Sequence, residues 1–369
     1  MRTTRRSFLR CAALSPAVAS TIAGSRLERG TWGQNSGTIH WPQPIGSPVL
    51  ESIRPVIENS RDVTTHFGKI QEVAGWMAYE ELPLPDFTLP YGLSKDRNVA
   101  IDFAMVSNSI DSAFTDFKTH VKLQVDFEGE HYSDSDAMTA CLKRAMDAGI
   151  PVLDGNYLAK ITRAEMERIF AANIEIPMLD EKAEVLRQVG QVLVAKYGGH
   201  FYNFIAACPP LLYDNGKGLV DRLVAEFPRY NDVSQFEGHE IKFYKLAQLG
   251  FWGLYASLGR SGQFKLEDPQ KLTAFADYIV PVALRLMGIT SYSQELEQTI
   301  DTYQLIPRDS RQEIELRAHT IYATALLREE INKLRPADMQ IIIPQVDARL
   351  WSAYHKTFWP HHLTKTIMY

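Results

Sequence analysis

Residues 268–288 read DPQKLTAFADYIVPVALRLMG, and their pattern sets the expected class of the chain. Asp268 is a good N-cap, and Pro269 suits the first helical position, where its missing N–H is not needed. Leu272, Phe275, Ala276, Ile279, Ala283 and Leu286 then recur along one face, and Gly288 is a favourable stop. The spacing predicts one helix from Pro269 to that stop. Within it, Pro281 cannot donate to the carbonyl of Asp277 four residues back, and its ring crowds that carbonyl. The Asp277 carboxylate, flanked by Phe275, Tyr278, Ile279 and Val280, then has two readings. It is a partly desolvated acid at a cleft wall, or a solvated Asp on the polar side of an amphipathic helix.

On either side of this stretch, helical signals dominate. Thr162-Arg163-Ala164-Glu165 is a capping box, with Leu179, Ala183, Leu186 and Val189 recurring at helical spacing behind it. Ser310-Arg311-Gln312-Glu313 is a second box, opening a helix whose apolar stripe runs Ile314, Ala318, Ile321 and Ala325 to about Leu334. Strand candidates are few: Val121 to Phe127 alternates cleanly, and Ile341-Ile342-Ile343 is short and stopped by Pro344. The expected class is mainly α with a minor β element.

The chain has 369 residues, of which 45% are hydrophobic and 22% charged, enough for a sizeable core and unlike disordered, collagenous or coiled-coil compositions. Its net charge of −5 disfavours a partner gripped through backbone phosphates, so direct nucleic-acid binding is not expected and a small molecule is. Residues 1–24 hold four arginines, no acid, and an apolar run too short to span a bilayer, so no stable membrane insertion is expected. Thr4-Arg5-Arg6-Ser7-Phe8-Leu9-Arg10 resembles a twin-arginine export signal, and Ala17-Val18-Ala19 offers a cleavage site. A mitochondrial transit peptide or a plain basic tail on a cytoplasmic protein are the alternatives. Cleavage would lower the charge from −5 by four further units. Residues 25–50 lack an apolar period and read as an extended arm, leaving 51–369 as a single domain.

Conventional signatures are missing: no G-x-G-x-x-G, P-loop, G-x-S-x-G or H-E-x-x-H motif occurs. Cys11 lies in the leader, and Cys141 and Cys208 form no C-x-x-C pair; two free thiols are the simpler reading over a single disulfide. The adjacent His361-His362 pair lacks the spacing that turns two imidazoles toward one ion. Neither a metal nor a cofactor is expected.

Several uncommon stretches, in order, resemble one family, the queuosine salvage proteins, which are queuosine 5′-phosphate N-glycosidases. They are Phe236-Glu237-Gly238, Phe243-Tyr244-Lys245-Leu246-Ala247-Gln248, Leu272 to Pro281, Ser310 to Ala318, Val346-Asp347-Ala348-Arg349-Leu350-Trp351, and Pro360 to Tyr369. The likeness covers roughly residues 55–369. It implies a fold similar to the helix-hairpin-helix DNA glycosylases, with Asp277 as the catalytic aspartate and Lys245 as the catalytic lysine of the phenylalanine-tyrosine-lysine motif, a cation near the sugar or its phosphate. It also implies that Phe275 and Asp347 contact the base, with Tyr278, Phe114, Trp351 and His362 completing the substrate site. A carboxylate beside the anomeric carbon suits such chemistry, because a breaking N-glycosidic bond leaves an oxocarbenium-like sugar.

The chain also departs from that family. Leu246, Ile279 and Leu363 stand where it usually has arginines; Asp111-Ser112-Ala113-Phe114-Thr115 replaces an asparagine-phenylalanine-serine-phenylalanine-tryptophan segment, and Ser135-Asp136 a tyrosine-tryptophan pair. Fewer arginines imply a weaker grip on a phosphate. The expected activity is hydrolysis of the N-glycosidic bond of queuosine 5′-phosphate or a related (deaza)purine nucleoside or nucleotide, releasing the free base for queuine salvage, with less demand for the 5′-phosphate. The alternative is a non-catalytic nucleobase- or nucleoside-binding protein on the same scaffold. DNA base excision, by fold analogy alone, is disfavoured by the acidic charge.

Overall fold

The computed structural model describes residues 38–84, 93, 95–355, 357 and 359–369. The expected leader and residues 25–37 of the expected arm lie outside them. The chain divides into two units, Met1–Ile39 and His40–Tyr369, and the second carries every helix and strand among the described residues.

The centre of this second unit is the Arg311–Leu334 helix, opened by Ser310 accepting from the Glu313 N–H, as the sequence predicts. Buried residues run around it from Glu313 to Leu327 rather than along one stripe, because four helices, Arg54–Glu58, Phe67–Met77, Val280–Leu286 and Ile343–Tyr354, all pack against it. A helix enclosed in this way must satisfy every polar side chain it carries. Glu315 accepts from the backbone N–H groups of Arg61, Asp62 and Val63, and His319 bridges Ser60 and Thr65 at 2.7 Å each. These bonds pin the loop entering β1 (Val63–Thr65).

A second layer is built from Arg97–Ser109, Leu179–Tyr197, Phe201–Ala206 and Lys245–Leu258. The Thr162 capping box forms with both reciprocal bonds. Three antiparallel hairpins or pairs accompany the helices: β1 with β6 (Thr290–Tyr292), β2 (Gln124–Phe127) with β3 (Glu130–Ser133), and β4 (Val233–Phe236) with β5 (His239–Lys242). The protein is thus mainly α with a minor β component. Residues 38–47 have no regular structure, yet His40 stacks on Phe67 at 3.9 Å and Trp41 meets Tyr322 edge-on. Helical structure begins at Pro48.

Three local expectations are corrected. The stretch from Pro269 is one 3-10 turn, Pro269–Lys271, then irregular backbone to Ile279, and only Val280–Leu286 is α-helical. Leu272 to Asp277 are buried consecutively, on every side, so the chain takes its hydrogen bonds from other elements instead of from itself. Thr273 N–H donates to Gln248 and Phe275 N–H to Asp347, while the Ala276 carbonyl accepts from Arg317. Pro281 then opens a helix rather than interrupting one, as its missing N–H allows. Likewise Pro344 sits in the first turn of the Ile343 helix, so Ile341-Ile342-Ile343 is no strand; Asn332 instead takes up both backbone groups of Ile341. The Val121 strand begins only at Gln124, with Val121 exposed.

Among the described residues Cys141 and Cys208 are free thiols. No helix among them is long and apolar enough to cross a membrane.

Candidate active site

The irregular 272–278 segment delivers Asp277 close to Lys245 and Asp347, each on a different helix. Its carboxylate Oδ1 accepts from the N–H groups of Ile279 at 2.8 Å and Val280 at 3.0 Å, capping the helix that Pro281 opens. The side chain is only 8% exposed. Burial raises its pKa above the ordinary carboxylate value, against the opposing pull of Lys245 and the two N–H groups. This is the desolvated acid of the two sequence readings.

Lys245 starts the Lys245–Leu258 helix after Tyr244 takes a left-handed φ of 48°. That strained residue turns the chain out of β5, and the turn is held because the Asp232 carbonyl accepts from the N–H groups of both Phe243 and Tyr244. Lys245 is buried, and its Nζ lies 3.8 Å from Asp111 Oδ2. Asp347, in the Ile343–Tyr354 helix, is buried and accepts the Phe275 N–H at 2.9 Å. Burial, and then the neighbouring Asp277 charge, push its pKa well above the ordinary value. The site therefore holds two buried carboxyls near Lys245 whose pKa values are both raised, Asp347's well above the ordinary value, and unequal environments of this kind separate acid and base roles.

Around this pair, Phe275 is buried beside Asp347's hydrogen bond, and Tyr278 packs on the His361 ring at 4.6 Å. His362 turns instead toward Tyr369, with 3.4 Å between its Nε2 and the tyrosine oxygen, and burial lowers its pKa to about 3. Phe114 covers the buried Lys182 amine, 5.6 Å from its ring centre. Trp351 is exposed and stacked on His355. The structure thus gathers Asp277, Lys245, Phe275, Asp347 and Tyr278, and gives His362, Phe114 and Trp351 other neighbours.

Three further groups were not singled out from sequence. Asp111 faces Lys245. Arg317 is buried and holds Asp232 through two hydrogen bonds of 3.0 and 2.5 Å. Lys182, with Arg229, grips the carbonyls around Asp111: Lys182 Nζ donates to Ser112 O and Arg229 Nε to Ser109 O. Arg317 lies within the Ser310–Ala318 motif, so a signal existed; a lone buried lysine inside an amphipathic helix leaves none. Among the described residues, no group of three His, Cys, Asp or Glu is arranged to hold a metal. A surface hollow of about 620 Å³ beside Tyr197 and Asn203 is crossed by an Arg222–Glu226–Tyr197 network and holds none of these residues.

A buried carboxylate near a buried lysine, with a second buried carboxyl alongside in a helical frame, is the equipment of a glycosidic-bond hydrolase. The chain belongs to the queuosine salvage protein family, whose model matches residues 91–369. It is 32% identical to the queuosine 5′-phosphate N-glycosylase/hydrolase of Sphaerobacter thermophilus over 324 residues, covering 87% of this chain and 97% of that protein. The proteins of the same name from Bos taurus, 31% identical over 76% of this chain and 83% of theirs, and Mus musculus, 28% identical over 88% and 100%, are similar too.

Proposed function

We propose that the protein hydrolyses the N-glycosidic bond of queuosine 5′-phosphate or a related deazapurine nucleoside, releasing the free base. The observation that carries this is Asp277: buried, fixed by two N–H groups and set near Lys245. As the bond to the base breaks, positive charge grows on the sugar, and a fixed carboxylate stabilises it without reorganising. The same carboxylate takes a proton from the attacking water, whose oxygen bonds to the anomeric carbon while the bonding electron pair leaves with the base. Asp347, whose burial favours its neutral form, exchanges hydrogen bonds with the polar edge of the base, and Phe275 offers a ring to its face.

Leu246 and Leu363 are buried and bring no charge to the site. This supports a reduced demand for the 5′-phosphate. Kinship supports a fold similar to the helix-hairpin-helix DNA glycosylases, and the Arg5-Arg6 leader supports export by the twin-arginine route, tested by fractionation of cells expressing an Arg5→Lys, Arg6→Lys variant.

The deciding experiment is base release, read by mass spectrometry, from queuosine, its 5′-monophosphate and a nucleoside panel, with Asp277→Asn as control. Release abolished in the control is expected. No release from any substrate, with binding retained, would instead favour a binding protein on this scaffold.

A further inference from the structure

Three carboxylates surround Lys245, and they differ in what their oxygens already hold. Asp277 receives two backbone N–H groups and Asp347 one. Asp111 has a different setting: its charged neighbour, Lys245, stands at 3.8 Å, an ion pair too long for a hydrogen bond, and its side chain is 19% exposed. Its oxygens therefore keep lone pairs to offer.

The backbone that presents Asp111 is held firmly. Arg229 takes the Ser109 carbonyl on one side; on the other, Lys182 takes those of Ser112 and Ala113, and Ala113 sits at a left-handed φ of 49°. Both cations are buried, and Arg229 Nη2 has no hydrogen-bond partner. Burying two cations is costly, and Asp111 is the acid common to both whose charge favours the ionised form, with Glu181 also acting on Lys182 and Asp232 on Arg229. A carboxylate that is rigidly presented, partly open and short of donors is built to receive them from a ligand.

We propose that Asp111 is a specificity-determining residue that accepts hydrogen bonds from the hydroxyl groups of the substrate's sugar and, by offsetting the Lys245 charge, selects an unphosphorylated sugar over a phosphorylated one. This rests on the hydrolase reading above. Asp111→Asn keeps an oxygen for a hydroxyl and removes the charge. Asp111→Ala removes both.

The test is kcat/KM for a nucleoside and for its 5′-monophosphate, in wild type and both variants. In wild type the nucleoside is expected to be at least as good a substrate. Asp111→Asn is expected to shift the ratio toward the monophosphate by about tenfold, the effect of deleting a like charge in a partly screened site, and Asp111→Ala to lower kcat/KM for the nucleoside by about tenfold or more. A wild-type enzyme strongly preferring the monophosphate overturns the inference with no variant needed, as does an unchanged ratio in a folded Asp111→Asn protein. If no substrate is cleaved, the hydrolase reading fails separately. Calorimetric affinities of the same two ligands for wild type and Asp111→Asn then read the same ratio, with the same outcomes deciding.

Discussion

Burial raises the pKa of the Asp277 carboxyl even though Lys245 and two N–H groups favour its ionised form. The ionised form stabilises a cationic sugar, so kcat/KM should fall as pH drops through that raised value, placing the acid limb above the usual carboxylate range. Stability runs the other way. A carboxyl whose folded pKa exceeds its unfolded one contributes fully below the unfolded value, and that contribution is lost as pH rises through the folded value. Asp277→Asn is therefore expected to lower kcat by roughly 10²–10⁴-fold while raising the denaturant midpoint at pH 7, since Asn still accepts the Ile279 and Val280 N–H groups. A variant both inactive and markedly less stable would mean that the carboxylate is structural. Asp277, Phe275 and Asp347 are singled out through family likeness, and the structure brings them together; what the likeness leaves open is the setting of Asp277, because burial is a property of the packed elements around it. Asp111 was legible only as a departure, since its meaning comes from Lys245, 134 positions away along the chain.

Helix contacts hold a second group of expectations. Gly190 sits mid-way in the Leu179–Tyr197 helix where it crosses Gly155–Leu158. A Cβ there would lie 2.7 Å from the Gly155 carbonyl oxygen, backbone that cannot swing aside. Gly190→Ala should cost about 1–3 kcal/mol in chemical unfolding. Gly253, within the Lys245–Leu258 helix, would meet nothing within 4 Å, so Gly253→Ala should add about 0.4–1 kcal/mol. Equal effects from the two would show that helix propensity, not packing, sets the cost. The same distinction explains the misread 268–288 stretch. Apolar residues at helical spacing and apolar residues buried on all sides look alike when they run together, and a proline in a first turn looks like a proline in a kink. Where polar residues marked the boundary, as at Thr162 and Ser310, the element starts were readable.

Across the whole molecule, buried ionisable groups tie distant segments together. His319 links the central helix to Ser60 and Thr65, and burial lowers its pKa to about 3. Its contribution to stability is complete above the unfolded value near 6.5 and is lost as pH falls, at about 1.4 kcal/mol per pH unit within that window. The advantage of wild type over His319→Gln should shrink by about 2–3 kcal/mol between pH 7 and pH 4.5; a constant difference would show that the imidazole is not held neutral. Arg317 reaches further. Its guanidinium holds Asp232, whose side chain also accepts the Lys245 N–H at 3.3 Å, and its Nε donates to Ala276 O at 3.2 Å, one residue before Asp277. The Phe243 and Tyr369 rings lie over it at 3.9 and 4.5 Å, and Glu313 approaches at 3.5 Å. One side chain thus positions both halves of the site. Arg317→Met leaves Asp232 and Glu313 buried without their counter-charge, so it should cost about 3–5 kcal/mol and lower kcat together. Arg317→Lys keeps the charge but loses the planar fork that spans Asp232, so it should fall between. Adding Asp232→Asn to Arg317→Met removes one stranded charge, and the double variant should be more stable than the sum of the single losses predicts. Strict additivity in that cycle would mean that the two residues act independently and that Lys245 and Asp277 are aligned by the backbone alone.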